Sequence, residues 1–331
     1  MNPLAIVGGG SWGTALSIVL APRFDRVRLW VYEPDLAERM RTSRENDIYL
    51  PGFRLPDHVE VHTDIAATAA GAPVILGVIP SAHARRMYER LRPHIAPSAI
   101  LVSATKGLEA GTLLRMSQVI EQVFGDKRPQ IAAISGPTFA REVAAGEPTA
   151  LVVASSNPDT AQAVQTSLSG PTLRLYTSSD PTGVEAGGAL KNVVAVGAGV
   201  CHGLGFGHNT LAALITRGLA EITRLAVAMG GQAKTLAGLA GLGDLVLTCT
   251  GGLSRNRMVG IELARGRSLA DITRSMQMVA EGVETTQSAV ELARQLGVEM
   301  PIAQQMEAML HLGRSPSEAI RHLMERSLKG E

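Results

Sequence analysis

Aromatic side chains are scarce in this sequence: Phe, Trp and Tyr together make up 3% of its 331 residues, so the core is built mostly from Ala, Leu, Val and Ile. Neither sign of charge is in surplus, with 31 basic and 30 acidic side chains and a net charge of +1. That balance argues against nucleic acid or an anionic membrane as a bulk partner. The two cysteines, Cys201 and Cys249, both lie in apolar surroundings and form neither a disulfide framework nor a metal-ligand spacing. The eight histidines are scattered. His202 and His208 share one segment without forming H-E-x-x-H, and no metal is expected. No run reaches the roughly 18 apolar residues of a membrane span. The opening MNPLAIVGGG lacks the basic start of a signal peptide. The default expectation is a cytoplasmic protein without membrane insertion. Low-complexity segments and internal repeats are also missing.

What is present fits a globular protein with ample core: 45% hydrophobic residues and 18% charged. The length admits one large or two medium domains. In the first half, short apolar runs alternate with polar helical stretches. Strands are expected at Leu4–Val7, Val27–Tyr32, Val74–Ile79, Ala99–Ser103, Ile131–Ile134, Ala150–Ala154 and Leu173–Tyr176, with a weaker signal at Val59–His62. Several are continuously apolar, as parallel strands buried on both faces are. Helical patterns such as Asp35–Arg44 and Ala82–Arg92 fall between them. The alternation predicts an α/β, Rossmann-like, doubly wound domain over 1–180.

After Asp180 the pattern changes. Pro181 follows a potential Asp cap, as at a helix start. Thr210–Met229, Arg255–Arg265, Thr285–Leu296, Ile302–Leu312 and Pro316–Ser327 carry helical periodicity. Gly230, Gly266, Gly297 and Gly313 sit where C-terminal caps belong. An all-α substrate and catalytic domain is expected over 181–331.

Several constellations carry chemistry. LAIVGGGSWGTAL places Gly8, Gly10 and Gly13 as G-x-G-x-x-G between a strand and a helix. These glycines serve the tight turn, the approach of backbone to a pyrophosphate, and close helix–strand packing. Glu33 falls 20 residues after Gly13, where an acid binds a ribose 2′-OH. A dinucleotide site is expected; the bland alternative is a glycine-rich turn with no nucleotide. Lys106, in SATKGLE, lies just beyond a strand end, where ligands of open α/β sheets gather. Gly136-Pro137-Thr138 joins a strand to a helix, and is either an anion or hydroxyl site or an ordinary cap at Thr138.

Between Ala186 and Thr216 the only formal charge is Lys191, in a segment whose small and aliphatic residues suggest a packed helix. A lysine there either snorkels to water or attends to a carboxylate, a ligand or a reaction, because desolvating an ammonium costs several kcal/mol. Burial also lowers its pKa toward the range useful for proton transfer. Asp244 is the only acid between Glu221 and Glu262 and sits in an apolar run, a natural partner for a buried lysine. Gly251-Gly252 then lead to Ser254, a good N-cap, with Arg255 and Asn256 in the first turn. Such a helix start suits an anion.

Taken together, VGGGSWGTA, SATKGLE, ISGPTFAREVAAGEPTA, GGALKNVVAVGAGVCHGLGFGHN, GLGDLVLTC and SRNRMVG, in that order, resemble the soluble, bacterial-type NAD(P)-dependent glycerol-3-phosphate dehydrogenases. The resemblance spans nearly the whole chain. It implies interconversion of dihydroxyacetone phosphate and sn-glycerol 3-phosphate, supply of glycerol phosphate for phospholipid synthesis, and a homodimer. It also implies that Lys191 is the proton donor and acceptor, with Lys106 and Asp244 completing its surroundings. Gly136, Thr138, Ser254, Arg255 and Asn256, with Asn192 and Thr248, would line the substrate site. Ser11, Trp12, Tyr32, Ala140, Arg255 and Glu281, with Lys106, Glu33 and the fingerprint glycines, would meet the dinucleotide. One departure is His202 before Gly203, where the family usually has an acid.

The cofactor is expected to be NAD or NADP. Glu33 would accept hydrogen bonds from both ribose hydroxyls of NAD and repel a 2′-phosphate, which predicts use of both with a preference for NADH. Arg39 and Arg41, on the following helix, are the candidates for reaching a 2′-phosphate. Two rival readings stay open: another two-domain dehydrogenase acting on a hydroxy acid or sugar acid, and a dinucleotide sensor without turnover.

Overall fold

The computed structural model describes residues 3–276 and 278–327. Its strands are β1 (Leu4–Val7), β2 (Val27–Trp30), β3 (Glu45–Asn46), β4 (Leu50–Arg54), β5 (Val59–His62), β6 (Val74–Gly77), β7 (Ile100–Ser103), β8 (Gln130–Ser135), β9 (Thr149–Ala154) and β10 (Leu173–Ser178). Eight of them form one sheet in the order β10-β9-β8-β7-β6-β1-β2-β5. The chain leaves β1 toward β2 and β5, then returns with β6 on the other side of β1. The central strand therefore ends at a topological switch point, where open α/β sheets bind ligands.

The pleat sorts the apolar runs onto two faces. Leu4 and Ile6 of β1 pack with Leu29, Leu76 and the buried side of helix Ser11–Leu20. Ala5 and Val7 face the other way, onto Ile75, Leu101, Tyr88 and Phe124. Helices on both sides of the sheet explain why these strands read as continuously apolar.

Two differences from the sequence reading stand out. The pair β8–β9 is antiparallel, so β9 and β10 run against the other six strands. A buried apolar run looks the same in either direction, so periodicity does not report this. The hairpin β3–β4 was not expected, because β3 is two residues long and polar, and β4 is mostly exposed.

From Pro181 to Met324 the described elements are helices. Asp180 caps the first of them, accepting from Gly183 N at 2.8 Å. Gly230, Gly266, Gly297 and Gly313 all have positive φ, as expected of helix C-caps. The central helix, Pro181–Gly203, is buried at every residue from Gly183 to Cys201. Its length and composition would suit a membrane span, yet its most apolar 18-residue window is entirely buried inside the fold. Helices His208–Ala228, Asp244–Thr250, Arg255–Ala264 and Glu281–Gln295 surround it. The helices meet closely at Gly199 and Gly260, whose missing Cβ atoms would stand 1.9 Å from the Arg257 carbonyl oxygen and 2.0 Å from the Val196 carbonyl oxygen. A loop, Leu204–Gly207, separates the central helix from the next.

Candidate functional site

The fingerprint builds an open phosphate cradle. Gly8 has φ +128, and a Cβ there would lie 2.2 Å from the Val78 carbonyl oxygen. A Cβ on Gly13 would lie 1.8 Å from the Gly8 carbonyl oxygen, so the helix starting at Ser11 rests directly on the turn. Gly10 is its N-cap residue, offers no side-chain cap, and faces open space. The first N–H groups of this helix, from Ser11 and Trp12 onward, are thus left for an anion. Trp12 is half-buried and packs with Ala140 and Val143, which anchors the loop after β8 to the cradle. These residues fit a dinucleotide.

At the end of β2, Tyr32 is 62% exposed and meets Trp30 edge-on, with ring centroids 6.0 Å apart. Glu33 accepts from the Tyr49 hydroxyl at 2.8 Å. Burial and then the neighbouring Glu33 carboxylate push the Tyr49 phenol up to about 12. Arg39 is paired with Asp47 at 3.0 Å, and Arg41 bonds Val61 O at 3.0 Å and Glu38 at 2.9 Å. Neither arginine candidate for a 2′-phosphate is free.

The second centre gathers residues from both halves. Lys191 is 5% exposed and Asp244 0%. Lys191 Nζ donates to Asp244 Oδ1, and to Thr248 Oγ1 at 2.7 Å. Thr248 in turn donates to the Asp244 carbonyl at 2.6 Å. Lys106 Nζ reaches Asp244 Oδ2 at 2.6 Å and the Gly136 carbonyl at 2.9 Å, with Thr138 Oγ1 at 3.5 Å. One carboxylate therefore serves two lysine side chains. Burial lowers the Lys191 pKa to about 7; Asp244 opposes the shift and Lys106 adds to it. Gly136, at φ +147, turns its carbonyl toward Lys106. The helix cap falls on Phe139 instead of Thr138, which leaves the Thr138 hydroxyl beside the lysine. Both cysteine thiols are pushed up by burial, Cys201 to about 11 and Cys249 to about 12, and neither is a thiolate nucleophile.

The third element is the anion-type helix start. Ser254 Oγ accepts from Arg257 N at 3.2 Å, so its own O–H stays available. Arg255 is solvent-accessible and has no ion pair among the described residues; surrounding atoms lower its pKa and the Glu281 carboxylate opposes the shift. Asn256 is committed on both sides, donating to Asn192 Oδ1 at 2.9 Å and accepting from Gly282 N at 2.9 Å. Glu281 reaches across to the first half, where Ser81 Oγ donates to it at 2.6 Å. Burial raises the Glu281 pKa.

Three supporting residues were missed from sequence. Tyr49 holds Glu33, Ser81 holds Glu281, and Asn46 donates to the Gly9 carbonyl and to Thr14 Oγ1, both at 2.8 Å, fastening the hairpin to the fingerprint. None of them belongs to a motif. Each reveals itself only through a partner remote in sequence.

Known proteins resemble this chain in sequence and in fold. A family model described as NAD-dependent glycerol-3-phosphate dehydrogenase N-terminus matches residues 3–161, and its C-terminal counterpart matches residues 180–321. The glycerol-3-phosphate dehydrogenase (NAD(P)+) of Koribacter versatilis is 55% identical over 329 residues, covering 98% of each chain. That of Syntrophotalea carbinolica is 53% identical and covers 99% of each. The crystal structure of glycerol-3-phosphate dehydrogenase from Coxiella burnetii superposes with a TM-score of 0.94 at 40% identity, covering 98% of this chain and 99% of that one.

Proposed function

The chain belongs to the NAD-dependent glycerol-3-phosphate dehydrogenase family, and on that premise we propose that Lys191 moves the proton while Arg255 and its helix start hold the substrate phosphate. The protein is an NAD(P)-dependent oxidoreductase interconverting dihydroxyacetone phosphate and sn-glycerol 3-phosphate. The observation that carries the assignment of roles is the buried Lys191–Asp244–Lys106 cluster beside the Gly136 turn.

A bound nicotinamide supplies the hydride, and the protein supplies position and charge. Reduction of the ketone builds negative charge on its oxygen. The Lys191 ammonium, aligned by Asp244 and Thr248, stabilises that charge and delivers the proton. In the reverse direction neutral Lys191 accepts the proton of the alcohol. Lys106 keeps a second ammonium beside the same oxygen and binds substrate and cofactor from the sheet side. The Arg255 guanidinium, the Ser254 hydroxyl and the free N–H groups of that helix take the phosphate. Gly136, Thr138 and Asn192 shape the wall between, and Asn256 acts mainly by tying it together. Gly8, Gly10, Ser11, Trp12, Gly13 and Ala140 serve the pyrophosphate end, and Tyr32 and Glu33 the adenosine. Glu281 borders the cofactor from the helical half. The segments 1–180 and 181–331 divide the labour, cofactor on one and proton and phosphate on the other.

A hydroxy or sugar acid could also set its carboxylate on Arg255, and the family match over both halves is what argues against that rival. A sensor needs no buried proton donor. We place the work of this enzyme in the cytoplasm, supplying glycerol phosphate for phospholipid synthesis, as a homodimer. The exposed Leu242, Val246, Leu253 and Met258 support a second copy as neighbour. The assay is the absorbance of NADH or NADPH with dihydroxyacetone phosphate, against unphosphorylated dihydroxyacetone. Oxidation of both cofactors, faster with NADH, and only with the phosphorylated ketone, is expected. Equal rates with the two ketones would remove the phosphate role.

A further inference from the structure

The groove beside Glu33 contains a cation that no motif announces. Trp30, Tyr32, Glu33, Pro34, Asp35, Thr63 and Arg90 line it. Arg90 is the only cation among these residues. It comes from the far end of helix Ser81–Leu91, on the opposite side of β2 from Arg39 and Arg41. Its guanidinium carbon lies 5.7 Å from the centre of the Trp30 ring. Trp30 is itself fixed, 3% exposed and donating through Nε1 to the Thr63 carbonyl at 2.9 Å.

The partners of Arg90 are unusual. Two carboxylates, Glu33 and Asp35, line the same groove, yet neither pairs with it. Among the described residues its one side-chain contact of hydrogen-bond type is to the Met87 sulfur at 3.9 Å, a weak acceptor. Glu33 is instead drawn to Tyr49. The Trp30 ring lies within cation–π range of the guanidinium, and the weak Met87 contact leaves most of its N–H fork unspent. Such a fork matches a phosphate's oxygens.

We propose that Arg90 is the 2′-phosphate contact of this dinucleotide site, and therefore the residue that admits NADPH past the Glu33 carboxylate. The inference rests on the dehydrogenase reading above. Arg39 and Arg41 are spent on Asp47, Glu38 and the backbone, so they do not compete for the role. Tyr49 keeps one Glu33 oxygen engaged, which reduces the repulsion a 2′-phosphate meets. Dual cofactor use then follows from two opposed groups: Glu33 favours a bare ribose, and Arg90 compensates for the added charge.

The test is calorimetric binding of adenosine 2′,5′-bisphosphate and of 5′-AMP to the full-length protein, wild type, Arg90→Ala and Arg90→Lys. A charge-assisted fork to phosphate corresponds to roughly 10–100-fold in affinity. Arg90→Ala should weaken the bisphosphate by that factor and change 5′-AMP by less than about twofold, with Arg90→Lys between. In parallel, kcat/KM should fall for NADPH and hold for NADH. Equal losses for both nucleotides would make Arg90 an adenine platform and overturn the proposal, as would no loss in either. Retained 5′-AMP binding reports a folded site in each variant. Turnover of dihydroxyacetone phosphate by the wild type with NADH separates failure of this inference from failure of the dehydrogenase reading.

Discussion

Asn256 donates through Nδ2 to Oδ1 of Asn192 at 2.9 Å, one residue beyond Lys191. The helix that presents Arg255 is thereby bonded to the helix that presents Lys191, inside a buried environment where a hydrogen bond is strong. Under the roles proposed for Arg255 and Lys191, that tie sets the distance between phosphate and reacting oxygen. A substrate of different length would miss one end or the other.

Lys191→Met should retain dinucleotide binding and lose turnover by about 10²–10⁴-fold, the usual consequence of removing a general acid. The pH profile gives a second readout. With the Lys191 pKa lowered to about 7, the ammonium is lost as pH rises through that value. Reduction, which needs the proton, should decline above it, and oxidation, which needs the neutral amine, should climb. Near-normal rates in a folded Lys191→Met protein, or a flat wild-type profile in both directions, would take Lys191 out of the mechanism.

Arg255→Ala should chiefly raise the Michaelis constant for dihydroxyacetone phosphate. A charge-assisted bond to phosphate contributes about 1.5–3 kcal/mol, and the cofactor constants should move less. Steady-state kinetics at saturating NADH decides it. An unchanged constant for the ketone would put its phosphate elsewhere.

Gly260→Val tests the packing that carries the site. A side chain there meets backbone, the Val196 carbonyl at 2.0 Å and Val200 N at 2.7 Å, and backbone cannot rotate aside. Overpacking of this kind costs about 1–3 kcal/mol or more. Thermal unfolding should begin markedly lower, together with loss of activity. Gly252→Ala is the control, since a Cβ at Gly252 meets nothing within 4 Å. If the two variants melt alike, the helix crossing tolerates separation.

Much of this fold and site is legible in the sequence because each feature has a local cause. The strands are apolar between helical patterns, the phosphate cradle needs its three glycines, and a lone lysine facing a lone aspartate in apolar runs calls for pairing. What stayed hidden depends on distance and direction. β9 reverses without any change in its hydrophobic run. β3 is held by Asn46, whose carbonyl and hydroxyl partners lie 37 and 32 residues away. Ser81 meets Glu281 across 200 residues. Arg90 could not be told from the other arginines of a solvated helix until Trp30 was seen beneath it.

The central helix has a consequence for how this chain drifts. A surface helix keeps half its positions free to vary, since water accepts most side chains. Here Gly187 faces the Ala240 carbonyl, Gly188 the Ser135 hydroxyl and Gly199 the Arg257 carbonyl, each with less than a methyl group of room. No turn of the helix between Gly183 and Cys201 has an outward side. Its residue alphabet is confined by volume at almost every step, whether or not the residue touches substrate. Lineages descending from this chain can exchange the surface of their outer helices and remain identifiable from this one buried rod.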